Sequence, residues 1–154
     1  KTALYVATVA RTYRKAIDDF KKDPELYRQN MEWYKEEIGK CTYREFTTGF
    51  YFGKPGADAQ IYDNNTYVKN FTYLGTVENV DERGFAKIEQ KNKFSVGETI
   101  EIMKPDGRNL QVEVKGIYDA EGQAQESAPH PKQELYIDLG VAPEEYDILR
   151  RQEP

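Results

Sequence analysis

Two repeating patterns divide this chain, and each admits one kind of secondary structure. In the N-terminal part, apolar side chains recur every three or four positions: Val6, Val9, Tyr13, Ile17 and Phe20. An α-helix turns once in 3.6 residues, so this spacing gathers them on one face and leaves Arg11, Arg14, Lys15, Asp18 and Asp19 on the others. From Tyr67 onward the period is two, with Phe71, Tyr73 and Gly75 alternating with Thr72, Leu74 and Thr76. That is the repeat of a β-strand, whose side chains point to opposite faces in turn.

The first pattern predicts a helix over about Ala3 to Lys21. Asp23-Pro24-Glu25 restarts the helix: an N-capping carboxylate, a proline at the first helical position and an acid in the first turn. Tyr27, Met31, Tyr34 and Ile38 make a second stripe, and Gly39 ends it. Two amphipathic helices follow from this reading. Both stripes are expected to be ordinary packing. The other expectation is that one of them belongs against a domain outside this sequence, which leaves an exposed apolar face or drives self-association.

The second pattern is built of short strands and glycine-containing turns. Thr76 to Val80 leads into the turn Asp81-Glu82-Arg83-Gly84, and Phe85 to Gln90 returns. Ile100-Glu101-Ile102 enters the turn Lys104-Pro105-Asp106-Gly107. Leu110, Val112 and Val114 alternate with polar residues on the way out, Asp119 to Gly122 turns again, and Leu135 to Leu139 closes the set. Such spacing indicates a small antiparallel sandwich or barrel. The fold class is therefore mainly β with N-terminal helices, divided into a helical segment (1–43) and a barrel (44–154). Lys54 to Thr66, rich in Gly, Asp and Asn, is long for a connection and is read as mobile or functional. Val96-Gly97-Glu98-Thr99-Ile100 resembles the entry to the second-domain barrel of elongation factor Tu. Gly97 there supplies the permissive φ of a tight turn.

Side chains that could do chemistry are few. Cys41 is the single cysteine, which excludes an internal disulfide and a cysteine-rich metal site and fits a reducing cytoplasm. It follows a helix C-terminus, an environment that disfavours a thiolate. His130, the single histidine, lies between Pro129 and Pro131 in an extended loop. No pair of histidines has metal-ligand spacing, and no glycine-rich phosphate loop is present. The adjacent carboxylates Asp18-Asp19, Glu36-Glu37 and Glu144-Glu145 diverge on a helix and are read as solvated faces. No signal peptide or membrane-spanning run is visible, and the opening at Lys1 reads as a boundary or a processed end.

Charge is unevenly spread. Residues 1–46 hold 10 Lys/Arg against 8 Asp/Glu, and residues 47–154 hold 12 against 19, a net of −7. The barrel is thus no general nucleic-acid surface. Local exceptions are Arg11, Arg14 and Lys15 on the first helix, Arg44 with Phe50, Tyr51 and Phe52, and Lys87, Lys91 and Lys93 around Asn92. The ordinary reading is core aromatics with a solvated basic edge; the alternative is stacking and phosphate contact with single-stranded RNA.

Several of these segments match a known family. Tyr5-Val6-Ala7-Thr8-Val9 with Tyr13-Arg14-Lys15-Ala16-Ile17-Asp18 resembles a segment of the peptidase U32 family, the collagenase-like proteases, where it follows the catalytic domain. Arg44 through Gly53, with Thr47-Thr48-Gly49-Phe50, and Ile88 through Phe94 with Gly97-Glu98 and Ile100-Glu101, resemble two further family motifs. Pro105-Asp106-Gly107 follows at the usual place. Asp147-Ile148-Leu149-Arg150-Arg151 is similar to the family's end.

The resemblance implies the C-terminal region of a U32 protein: terminal helices, then a small barrel. It implies a non-catalytic accessory domain that positions a macromolecular substrate or packs on the catalytic domain. The candidate contacts are Arg44, Phe50, Tyr51, Phe52, Asn92 and Lys93. The family is named for hydrolases, yet other members are linked to hydroxylation of tRNA or ribosomal RNA and some to iron–sulfur clusters. The alternative is therefore a tRNA-binding module with Arg11 and Arg14 as RNA contacts. The family's cysteine signature lies outside this sequence, so no cofactor, metal or catalytic residue is expected here. The expected partners are the N-terminal U32 catalytic domain, with a protein substrate or tRNA and no membrane, in the cytoplasm. Exposed helices leave self-association open.

Overall fold

Thr2 begins the first helix by accepting the Tyr5 N–H on its hydroxyl at 3.2 Å, a side-chain cap for an otherwise orphaned donor. The computed structural model describes residues 1–41, 48–57 and 70–154. Helix α1 spans Ala3–Lys22. Asp23 ends it and caps α2 (Pro24–Gln29), with Pro24 at the first position, as the sequence signals. The second predicted helix is not continuous. It breaks at Asn30, which separates α2 from α3 (Met31–Ile38). The Asn30 amide turns back to donate to Asp19 at 2.9 Å, giving the break a partner. Part of the long loop expected over Lys54–Thr66 lies outside the described residues.

Eight antiparallel strands form one curled sheet, an open half-barrel: β1 (Phe71–Val80), β2 (Ala86–Gln90), β3 (Thr99–Met103), β4 (Asn109–Glu113), β5 (Gly116–Tyr118), β6 (Ala124–Gln125), β7 (Glu134–Asp138) and β8 (Ile148–Gln152). Their order across the sheet is β4-β3-β8-β1-β2-β7-β5-β6. Between the sheet's ends, Val96 N–H donates to Glu126 O at 3.0 Å and Gly97 N–H to Val114 O at 2.8 Å. Gly97 has φ +85°, the left-handed conformation that favours glycine. The mainly β architecture with preceding helices is the one the sequence pattern predicts. The C-terminal strand β8 carries no clear alternation and is not among the strands read from the sequence; its five residues lie between β1 and β3.

Strand β1 explains why alternation alone misleads there. Phe71, Thr72, Tyr73, Leu74 and Gly75 are buried in succession because both sheet faces are covered. Leu74 and Val77 join the barrel core with Ile88, Phe94, Ile100 and Leu149. Tyr73 lies on the other side, in a second cluster with Leu4 of α1, Cys41, Met103 and Ile148. Gly75 marks a register shift between β1 and β8. A Cβ on Gly75 would sit 2.8 Å from the Glu89 carbonyl oxygen, so only glycine allows this approach.

The helices join the barrel through charge. Glu37 of α3 is buried between Arg11 of α1 and Arg150 of β8. Arg150 reaches Glu37 at 2.7 Å and its cross-strand partner Glu101 at 2.5 Å. Arg11 also donates to the Lys104 carbonyl at 2.8 Å and to Asn109 at 3.0 Å, while the Asn109 amide donates to Glu37 at 2.9 Å. Lys40 adds a third cation, 3.2 Å from Glu37. Thus one member of the Glu36-Glu37 pair, and Asp19 of Asp18-Asp19, are buried rather than solvated. Adjacency on a helix sends one carboxylate outward and its neighbour in.

Burial alone would raise the Glu37 carboxyl, but Arg150 and Arg11 outweigh it and hold it below the ordinary carboxylate range. A depressed folded-state pKa gives stability that is complete above the unfolded value, about 4.3 for Glu, and lost as pH falls through the folded value. Glu37→Gln should therefore cost about 3–5 kcal/mol at neutral pH, because it leaves two buried guanidiniums facing each other. It should also flatten the loss of stability on acidification. Urea unfolding of Glu37→Gln beside the exposed control Glu36→Gln, at neutral and acidic pH, checks both.

Candidate functional site

Helix α1 has two working faces, and the apolar one is turned away from the barrel. Leu4, Thr8, Arg11 and Thr12 are buried, with Thr8 donating to the Met103 sulfur and Arg11 in the ionic network. Val6, Tyr13, Ile17 and Phe20 are between 47% and 61% exposed. The expectation that both stripes are ordinary packing therefore fails for the first. The barrel-facing side of α1 is made of Leu4 followed by threonine and arginine, and the stripe that apolarity identifies stands open. The second stripe does pack: Tyr27 stacks on Tyr34 at 5.6 Å and meets Phe20 edge-on at 5.7 Å. Tyr34 donates to Asp19 at 2.6 Å. Burial and this carboxylate push the phenol up to about 12.

The aromatic segment flagged in the sequence forms a tight turn. Tyr51 N–H donates to the Thr48 carbonyl at 3.1 Å and Gly53 N–H to Phe50 at 3.2 Å. Phe50, Tyr51 and Phe52 are 79% to 85% exposed, and the last two rings meet edge-to-face at 4.9 Å. Three bare rings in succession supply flat apolar area that water solvates poorly, in a form suited to stacking. Arg44, the cation grouped with them, lies outside the described residues.

The remaining candidates separate. Arg11 is buried and its guanidinium is engaged by Glu37, Lys104 and Asn109, so it is not available to RNA; the expectation of a solvent-facing contact is corrected. Arg14 is exposed and forks onto Asp18. Asn92 donates to the Tyr73 carbonyl at 2.6 Å, anchoring the bend after β2. Lys93 beside it is exposed. Of the basic edge around Asn92, Lys87 and Lys91 are neutralised by Glu134 and Glu89. Cys41 is buried, its thiol pushed up by burial, while His130 is exposed on its loop. Among the described residues no three His, Cys, Asp or Glu side chains gather to hold a metal ion, and no helix is long and apolar enough to cross a membrane. The sequence reading missed Glu37 and Arg150, whose roles depend on strands and helices far apart in the chain.

Comparison with known proteins adds lineage to this geometry. The model of peptidase family U32 matches residues 1–61, and that of the peptidase family U32 C-terminal domain matches residues 69–150. The chain is 34% identical over 134 residues to the tRNA hydroxylation protein P1 of Bacillus subtilis, covering 86% of this chain and 32% of that protein. It is 30% identical over 130 residues to the tRNA hydroxylation protein P of Escherichia coli, covering 84% and 28%. It thus spans about a third of the length of these curated relatives. A solved C-terminal domain of a Geobacillus thermoleovorans protein described as a U32 peptidase is 26% identical, covering 52% of this chain and 99% of that one, with a TM-score of 0.48.

Phe50→Ala, Tyr51→Ala and Phe52→Ala should leave the urea midpoint nearly unchanged, because each ring is about four-fifths exposed. Tyr34→Phe should cost about 1.5–3 kcal/mol, since a buried carboxylate loses its hydroxyl donor. Comparable losses in both sets would show that the three rings are part of a core.

Proposed function

Because the chain belongs to peptidase family U32, with that family's C-terminal domain at residues 69–150, we propose that it is a non-catalytic module of a tRNA-handling U32 protein. In this reading it is docked on the rest of the U32 domain and presents a surface to the RNA. The observation that carries the docking half is the open stripe of Val6, Tyr13, Ile17 and Phe20. It lies within the segment matched by the U32 model, and the relatives are about three times longer than this chain. A helix whose polar face is locked to the barrel and whose apolar face is bare has the form of a rib shared between two bodies.

The RNA half draws on relatives named for tRNA hydroxylation and on the exposed turn of Phe50, Tyr51 and Phe52, whose rings have the stacking chemistry that holds unpaired bases. Reaction chemistry is assigned to the rest of the U32 protein: the buried Cys41 has a raised pKa, unsuited to a nucleophile. This reading places the protein in the cytoplasm, where tRNA is.

Two measurements test it. Tyr13 and Phe20 should be several-fold less reactive to hydroxyl-radical footprinting when the chain replaces the matched third of the Bacillus subtilis relative than when it is alone. Equal reactivity sinks the docking. So does a stable dimer of the chain alone that Ile17→Arg dissociates, since the second copy would then be the occupant. In anisotropy titrations with labelled bacterial tRNA, Phe50→Ala/Tyr51→Ala/Phe52→Ala should weaken binding by about 1–3 kcal/mol per stacked base. A titration unchanged by the triple substitution removes the turn from the RNA surface.

A further inference from the structure

The barrel half is the acidic half, at −7 over residues 47–154 from 12 Lys/Arg and 19 Asp/Glu, and its cations are mostly spent inside the protein. Arg83 pairs with Asp81, Lys87 with Glu78 and Glu134, Lys91 with Glu89, and Lys104 with Asp147. Arg108 pairs with Asp106, Arg150 with Glu101, and Arg151 with Glu98. Among the described barrel residues, Lys54, Lys93, Lys115 and Lys132 have no carboxylate within ion-pair reach. Two of those four, Lys93 and Lys115, line the same groove.

That groove, of about 690 Å³, runs between the segment after β2 and the β5-β6 hairpin. Tyr118 forms part of its wall, with its hydroxyl folded over Gly116, where a Cβ would stand only 2.8 Å away. Ser127 lines it with an uncharged donor, the Gln125 amide is taken up by Asp119 and Gln133, and Glu126 is the one carboxylate among the lining residues. Backbone pairing ties two of its lining segments together, Val96 N–H to Glu126 O at 3.0 Å and Ala128 N–H to Phe94 O at 2.9 Å. An arginine or lysine already neutralised by a neighbouring carboxylate gains little from a phosphate, since one pair is exchanged for another. An unpaired lysine releases counterions and gains the whole interaction.

We propose that this groove is a phosphodiester track, in which Lys93 and Lys115 neutralise phosphates of an RNA strand while Ser127 hydrogen-bonds a sugar–phosphate oxygen. The proposal rests on the tRNA reading above and adds the surface that the RNA backbone follows. It also accounts for how a net-acidic barrel binds a polyanion: acidic residues elsewhere repel the strand and favour a groove where two unpaired lysines stand together.

The test is a titration of labelled bacterial tRNA with this chain between about 50 and 200 mM salt, followed by anisotropy. Lys93→Glu/Lys115→Glu is compared with Lys21→Glu/Lys22→Glu, which makes the same charge change at the end of α1. The groove variant should lose about tenfold or more in affinity and reduce the slope of log affinity against log salt by about 1–2. The α1 variant should change little. All four lysines are exposed, so circular dichroism should show both variants folded; Lys93→Gln/Lys115→Gln, with a smaller loss in the same direction, is the milder check. Equal losses in the two charge-reversed variants, or none in the groove variant, overturn the groove while leaving the tRNA reading in place. Absence of wild-type binding even at the lowest salt overturns the tRNA reading itself, and the groove with it.

Discussion

A single carboxylate, Glu37, sits where two helices and an eight-stranded sheet come together. It is buried, and it faces Arg11 from one side and Arg150 from the other. Burying a charge in protein costs several kcal/mol, and that cost is recovered only when every partner is in place with good geometry. The network therefore acts as a condition on the whole assembly. Strand β8 must lie beside β3 so that Arg150 meets Glu101 across the ladder, α1 must lie along the barrel so that Arg11 reaches the Lys104 carbonyl, and α3 must fold back so that Glu37 enters between them. Apolar contacts alone would tolerate sliding; forked guanidiniums fix register as well as contact.

This explains why α1 shows its most apolar side to solvent. The position facing the barrel is occupied by Leu4, Thr8, Arg11 and Thr12, and the stripe of Val6, Tyr13, Ile17 and Phe20 is left exposed. The proposed module has a polar joint inside, an apolar joint outside and an RNA-facing edge on the barrel. The two joints differ in physical character: the inner one weakens with acid, and the outer one responds to apolar area.

Much of the architecture is legible in the sequence because its signals are local. Alternation locates the core strands through Leu74, Ile88, Ile100 and Leu135; Gly97 marks a turn that needs positive φ; Asp23 and Pro24 announce a helix start. What is not legible depends on residues that resemble surface in one dimension. Nothing in spacing tells Glu36, which is exposed, from Glu37, which is buried, because the difference is made by Arg150, more than a hundred residues later. Apolar periodicity likewise finds the helix but not the direction of its faces, since most of the inward side of α1, beyond Leu4, is built from hydrogen-bonding residues. The aromatic turn was legible as composition, while its exposure is a tertiary property. Lys93 was legible as one of a basic cluster; that its neighbours are neutralised and Lys115 is not becomes visible once the strands are paired.

The ionic joint also bears on how such a region can be inherited. The two family segments meet between residues 61 and 69, yet the interface in space crosses that boundary, with Arg11 and Glu37 on one side and Arg150, Glu101 and Asn109 on the other. A barrel exchanged between genes at the sequence boundary would arrive with Arg150 and Glu101 still matched to each other but with no carboxylate from α3 above them. Recombination that preserves the joint has to carry the helices along, so the unit that evolution can move intact is larger than the unit that sequence families delimit.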